Sequence, residues 1–219
     1  MDKSIRKNFC FLALGNIISK LGNITFDYIN NMWFVNNFFS KSIFLAIYQS
    51  SDTVVSIIFN IFGGALADKS NKKKILIITD LISAIICFLL GILTKNKNLA
   101  YFLIFGNIVL SILSSFNYPT YKSIALNTLT QNITNTFNSV LNISGEFIRI
   151  IGPIFSIFLF NSIGIKAAMI LNCISFLLSA LLEMKLIIIK EFNESRLVGK
   201  KFFDDDNNYK RRFFIFTRT

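Results

Sequence analysis

Apolar residues fill this chain in six long runs, 9–38, 43–63, 75–93, 99–118, 140–160 and 165–189, each separated from the next by a short polar or basic interruption. At about 1.5 Å per helical residue, runs of this length reach across a hydrocarbon layer of roughly 30 Å. A helix is also the form that satisfies every backbone hydrogen bond within one segment, as a bilayer demands. The pattern therefore predicts an all-α membrane protein, a bundle of six spans over residues 1–190 with a polar tail over 191–219. The first run follows Lys3, Arg6 and Lys7 but is too long and too polar for a leader core, so it counts as a helix. Pro119 is expected to stop the fourth helix and leave the polar stretch 121–138 as a loop.

Within the runs, polar residues return at helical spacing. The first carries Asn16, Lys20, Asn23, Asp27 and Asn30, and the second Tyr48, Asp52, Ser56 and Asn60. The fourth carries Asn107, Ser111 and Ser114, and the fifth Asn138, Asn142, Gly145 or Glu146, Arg149, Gly152 and Ser156. Four helices cannot all turn a polar stripe to lipid, so the stripes are expected to converge on a common interior or watery path. Asp27, Asp52, Asp80 and Glu146 are carboxylates at membrane depth, set against the deep cations Lys20 and Arg149. Lys20 and Asp52 lie at similar depth and are expected to pair, as are Glu146 and Arg149 at i, i+3. Asp27 and Asp80 then lack a partner. A carboxyl group without one in a low dielectric tends to hold a proton, the property a proton-coupled carrier uses. Asp80 is expected at the membrane interface beside basic residues of the loop before it, with a transport role as the alternative. For Asp27, nearer the outer surface, a hydrated position and a functional one both stand.

Composition agrees with the pattern: 53% hydrophobic residues, 25 Phe and a mean hydropathy of +0.56 are too apolar for a soluble domain. The net charge of +11 raises nucleic acid as a partner, but the basic residues sit at the ends of apolar runs and form no stripe, so none is expected. Their distribution orients the chain instead. Sixteen Lys and Arg fall in the termini and the loops on the N-terminal side, four in the loops on the other, which predicts a multi-pass cell-membrane protein with both ends cytoplasmic. The absence of His excludes a His relay or His-ligated metal. Cys10, Cys87 and Cys173 read as small core residues, so neither a metal nor a cofactor is expected.

The sharpest local signal lies between the second and third runs, Gly64-Ala-Leu-Ala-Asp-Lys-Ser-Asn-Lys-Lys-Lys-Ile-Leu76, with four lysines in six residues. Gly63 and Gly64 would let the chain leave the second helix closely packed, and Asn71 tolerates a left-handed backbone in a tight turn. Gly64, Leu66, Ala67, Asp68, Lys69, Lys72 and Lys73 resemble the signature loop between helices 2 and 3 of the major facilitator superfamily, with Lys69 where that pattern has Arg and Asn71 where it has Gly. A second resemblance runs from Asn117-Tyr-Pro-Thr120 through Phe137-Asn-Ser139 to Arg149-Ile-Ile-Gly-Pro153 and is similar to the drug-efflux, macrolide-efflux-like permeases of that superfamily. Gly152 and Pro153 mark a helix that can bend.

The resemblance implies one six-helix half of a two-half transporter, the N-terminal one, with 191–219 as a shortened interdomain linker. Substrate is held at midplane between the halves. It also implies a lipid bilayer, a small-molecule substrate and a second six-helix half or second copy as partners, with Asp68 and Lys72 contacting that other half. Proton-coupled efflux, with Asp27 or Asp52 as proton or cation site, is the function expected. The alternative is a non-transporting remnant or partner subunit. An enzyme is the weakest reading, for no metalloprotease, serine-hydrolase or paired-aspartate motif occurs and no catalytic residue is assigned.

Overall fold

The computed structural model of the chain describes residues 3–38, 43–69, 71–129 and 131–187. The chain divides into residues 1–187 and 188–219, and the second unit, with the expected tail, lies outside the described residues. The described residues form helices α1 (Lys3–Phe38), α2 (Ile43–Lys69), α3 (Lys72–Leu93), α4 (Leu99–Thr128), α5 (Gln131–Ile163) and α6 (Ile165–Met184). All six contain a stretch long and apolar enough to cross a membrane.

Helix α1 packs on α5 and α6, α4 packs on α2 and α3, and α3 packs on α6. Exchanging α1, α2 and α3 for α4, α5 and α6 leaves this set of pairings unchanged. Because each half holds three helices, the second starts from the opposite face, so the bundle is an inverted repeat. The contact between α1 and α6 is close because both present small residues: Gly15 and Gly22 meet Ser179 and Ser175. Two apolar clusters fill the bundle. One, around Leu12, Leu76, Ile124 and Phe137, lies toward the N-terminal face; the other, around Phe26, Ile29, Leu103 and Met169, lies toward the opposite face.

Pro119 does not stop the fourth helix: α4 runs through it to Thr128, and α5 begins at Gln131, so the expected loop is mostly helix. The missing Pro N–H is outweighed by the face that follows. Tyr121, Ile124, Ala125 and Thr128 recur at helical spacing, and all are buried. Ile124 and Leu129, at about 1.5–3 kcal/mol each, together with the buried Tyr121 ring, offset the roughly 3 kcal/mol a mid-helix proline removes. On α5, Thr134, Phe137, Gly145, Ile148, Gly152 and Ser156 likewise form one buried face.

The loop between the second and third runs is also shorter than expected. Helix α2 continues through Gly63 and Gly64 to Lys69, and α3 starts at Lys72. Asn71 is not left-handed: with φ −67° and ψ 100° it caps α3, its Oδ1 accepting from the Lys74 amide at 3.2 Å. The positive φ among the described residues belongs to Gly164, at +76°, the single-residue joint between α5 and α6.

At the far end of α6, Asn8 pairs with backbone as a second chain would: Nδ2 donates to the Ile187 carbonyl at 2.7 Å and Oδ1 accepts from its amide at 3.0 Å. Asn8 is fully buried, so Asn8→Ala leaves both groups of Ile187 without these partners and is expected to cost about 2 kcal/mol in detergent unfolding. A loss below a few tenths would show that water replaces the side chain.

Candidate functional site

The polar stripes of α1, α2, α4 and α5 meet at a cavity of about 470 Å³. Lys20, Asn23 and Asp27 come from α1, Asp52, Ser56 and Asn60 from α2, Asn107, Ser111 and Ser114 from α4, and Arg149 from α5. Not every stripe residue reaches it. Asn30 is fully buried, and on α5 Gly152 and Ser156 face inward while Arg149 lines the cavity.

Both cavity aspartates are held across helices. The Tyr48 hydroxyl donates to Asp27 Oδ1 at 3.2 Å and accepts from Asn30 Nδ2 at 3.1 Å, which ties α2 to α1. Ser111 Oγ donates to Asp52 Oδ1 at 2.5 Å, while Asn107 Nδ2 reaches the Tyr48 carbonyl at 3.1 Å and Ser51 Oγ at 3.2 Å, which ties α4 to α2. Aspartate oxygens supported by hydroxyl donors keep a fixed position while remaining open to the cavity.

The cations are arranged otherwise than their depth suggested. Glu146 and Arg149 do pair, at 3.5 Å, on the exposed face of α5. Among the described residues no salt bridge joins Lys20 to Asp52. Lys20 Nζ instead donates to the Leu141 carbonyl at 3.4 Å and lies over Gly145, where an added Cβ would sit 2.8 Å from Nζ. The cause is packing: α1 lies against α5 and α2 against α4, so Lys20 leans toward α5. With Arg149 matched by Glu146, Asp27 and Asp52 outnumber Lys20 at the cavity wall.

Asp80 corrects a second expectation. It is 1% exposed and accepts from Asn117 Nδ2 at 2.8 Å, with Thr79 Oγ1 donating to Asn117 Oδ1. It lies eight residues, roughly 12 Å of rise, beyond Lys72, and its hydrogen bond goes to a neighbouring helix. Lys73 does not serve it either: Nζ donates to the carbonyls of Met184 and Leu186 at 2.7 and 2.8 Å, satisfying the end of α6. Lys72 is half-buried in the first turn of α3. The side chains of Gly64, Leu66, Asp68 and Lys69 lie outside the described residues, so this part of the loop motif is without structural description.

Beside Asp80 stands Glu183, a further carboxyl group at membrane depth that is absent from the expected set of Asp27, Asp52, Asp80 and Glu146. It is fully buried; Tyr121 Oη donates to its Oε1, and Ser179 Oγ lies 3.4 Å from the same oxygen. Its signal was present as Asn172, Ser175, Ser179 and Glu183 at steps of three, four and four, the same device as the other stripes. Tyr121→Phe removes one hydroxyl from this buried cluster and is expected to cost about 1–1.5 kcal/mol in thermal unfolding, whereas Tyr118→Phe, exposed in the cavity, is expected to be near neutral. Equal effects would mean the cluster is hydrated.

At the expected helix 5 bend, Pro153 lies inside α5 and Gly152 is where α1 comes close: an added Cβ would be 2.5 Å from Ile24 Cγ2. Ser156 Oγ donates to the Gly152 carbonyl at 2.7 Å.

Comparison with known proteins bears on this arrangement. The family profile of the Major Facilitator Superfamily matches residues 12–213. A curated Bacillus subtilis (strain 168) protein described as an uncharacterized MFS-type transporter, YkuC, is 23% identical over 193 residues, which is 87% of this chain and 44% of that protein. The chain thus spans about half the length of the curated relative it matches. No solved structure matches.

Proposed function

We propose that this chain, which belongs to the Major Facilitator Superfamily, forms the N-terminal half-bundle of a secondary carrier that exports small amphipathic cations in exchange for protons. Members of this family are carriers and not enzymes. The observation that carries the reading is the cavity shared by α1, α2, α4 and α5, where Asp27 and Asp52 face Lys20 while Arg149 is matched by Glu146. A wall with surplus carboxylate attracts a cation or a proton, and the two can compete for it.

Apolar ridges flank the opening: Val54, Ile57 and Ile58 on α2, and Ile143, Ile150 and Ile154 on α5, are all at least half exposed. A second six-helix half, or a second copy, covers these ridges in this proposal and closes the cavity at midplane. The loop residues Asp68 and Lys72 then contact that half, while Lys73 stays on the end of α6, and Gly152 and Pro153 let α5 move against the second half. The N-terminal face is cytoplasmic, following the Lys and Arg excess there.

The test is dye retention. Cells expressing the chain with its second half are expected to hold several-fold less of a lipophilic cationic dye than controls, and the difference is expected to vanish when the proton gradient is collapsed. Equal retention with and without the protein overturns the export reading. A difference that survives gradient collapse overturns the coupling.

A further inference from the structure

A second cavity, of about 460 Å³, lies between α3 and α6 on the face opposite the N-terminus, apart from the polar cavity. Phe88 and Ile92 of α3 and Ile170 and Ile174 of α6 line it, each about half exposed or more, with Lys95 and Lys166 at one end. The two lysines come from different elements, one just past the end of α3 and the other in the first turn of α6. No acidic residue occurs between Asp80 and Glu146 or between Glu146 and Glu183, and among the described residues neither lysine forms a salt bridge. An apolar furrow between two helices long enough to span a membrane, ending in two cations without an acidic partner, is complementary to a molecule with an acyl chain and an anionic head.

We propose that this groove is a binding site for one phospholipid with an anionic headgroup, whose acyl chain lies between Phe88, Ile92, Ile170 and Ile174 and whose phosphate is held by Lys95 and Lys166. The chain lines the furrow by apolar contact, and the headgroup selects by charge. The site needs only that the bundle is embedded in a membrane, so it stands or falls separately from the transport reading. An occupant bridging α3 and α6, the equivalent helices of the inverted repeat, would restrain their separation at this face.

The full chain, purified in mild detergent with phosphatidylglycerol or with phosphatidylcholine of the same acyl length, provides the test by native mass spectrometry. Retention of phosphatidylglycerol is expected to exceed that of phosphatidylcholine by on the order of tenfold. Lys95→Gln with Lys166→Gln is expected to bring it down to the phosphatidylcholine level, and Lys95→Arg with Lys166→Arg to preserve it. Lys97→Gln, in the same turn but outside the groove lining, is expected to change nothing. Ile170→Trp fills the furrow and is expected to lower retention of both lipids. Equal retention of the two lipids overturns the proposal, as does unchanged phosphatidylglycerol binding in the double glutamine variant. Displacement by millimolar inorganic phosphate overturns the assignment to a lipid.

Discussion

Asp27→Asn is expected to reduce export of a cationic substrate by about tenfold or more while leaving the bundle folded. The amide has nearly the shape of the carboxylate and keeps an oxygen for the Tyr48 hydroxyl, so the tie between α1 and α2 survives. What disappears is a charge open to the cavity, and with it, under the proposed mechanism, the group for which proton and cation compete. A tenfold loss corresponds to about 1.4 kcal/mol of differential interaction, modest for a charge in a partly water-excluded wall. Asp52→Asn is expected to act in the same direction, since Ser111 can donate to the amide oxygen as to the carboxylate. Initial rates in everted membrane vesicles, normalised to protein in the membrane, provide the measurement. If neither change lowers the rate, the cavity aspartates are not the coupling site. Lys20→Met serves as the contrast. It removes the cation facing them, and tighter binding of a cationic substrate is expected.

Gly22→Val is expected to cost about 3 kcal/mol or more and to lower the melting temperature in detergent by on the order of 10 °C. An added Cβ would stand 2.0 Å from Ser175 Oγ and 2.7 Å from both Ser175 Cβ and Asn172 Oδ1. Rotating the serine hydroxyl relieves the first contact but leaves the second, because Cβ is fixed to the α6 backbone. The helices must therefore separate along a contact that runs from Gly22 and Ser175 to Gly15 and Ser179. The cause can be isolated with a smaller step. Gly22→Ala alone is expected to destabilise, and Gly22→Ala combined with Ser175→Gly to recover most of the loss, because the second change vacates the space the first requires. Additive losses in that pair would place the effect in α1 itself and outside its contact with α6.

Much of the site was legible along the chain because polar residues in an apolar run betray a helix face. Lys20, Asn23 and Asp27 on α1, Asp52, Ser56 and Asn60 on α2, and Asn107, Ser111 and Ser114 on α4 meet at one cavity, as their spacing required. Spacing alone did not separate residues that line the cavity from those that seal the packing beside it. Asn30 falls on the same stripe as Asp27, yet it is buried and serves Tyr48. Glu183 shows the same limit. Its Oε1 accepts from Tyr121 on α4 and from Ser179 one turn earlier on α6, while Oε2 has no hydrogen-bond partner among the described residues, and the contact with Tyr121 cannot be read from α6 alone. Pro119 misled for a related reason, since its local penalty is a property of one residue whereas the burial that carries α4 past it belongs to several helices.

The sequence by itself determined that six segments cross a membrane, which faces of them are polar and where the charge accumulates. Crossing depends on length and apolarity, and both are properties of a single segment. Only the tertiary structure decided the partners. Because α1 lies on α5 and α2 on α4, Lys20 leans to the Leu141 carbonyl, Asp52 takes its hydrogen bond from Ser111, and Asp80 ends beside Asn117 instead of a lysine. Depth along a helix says how far a side chain is from water, but its partner depends on which helix is packed against it.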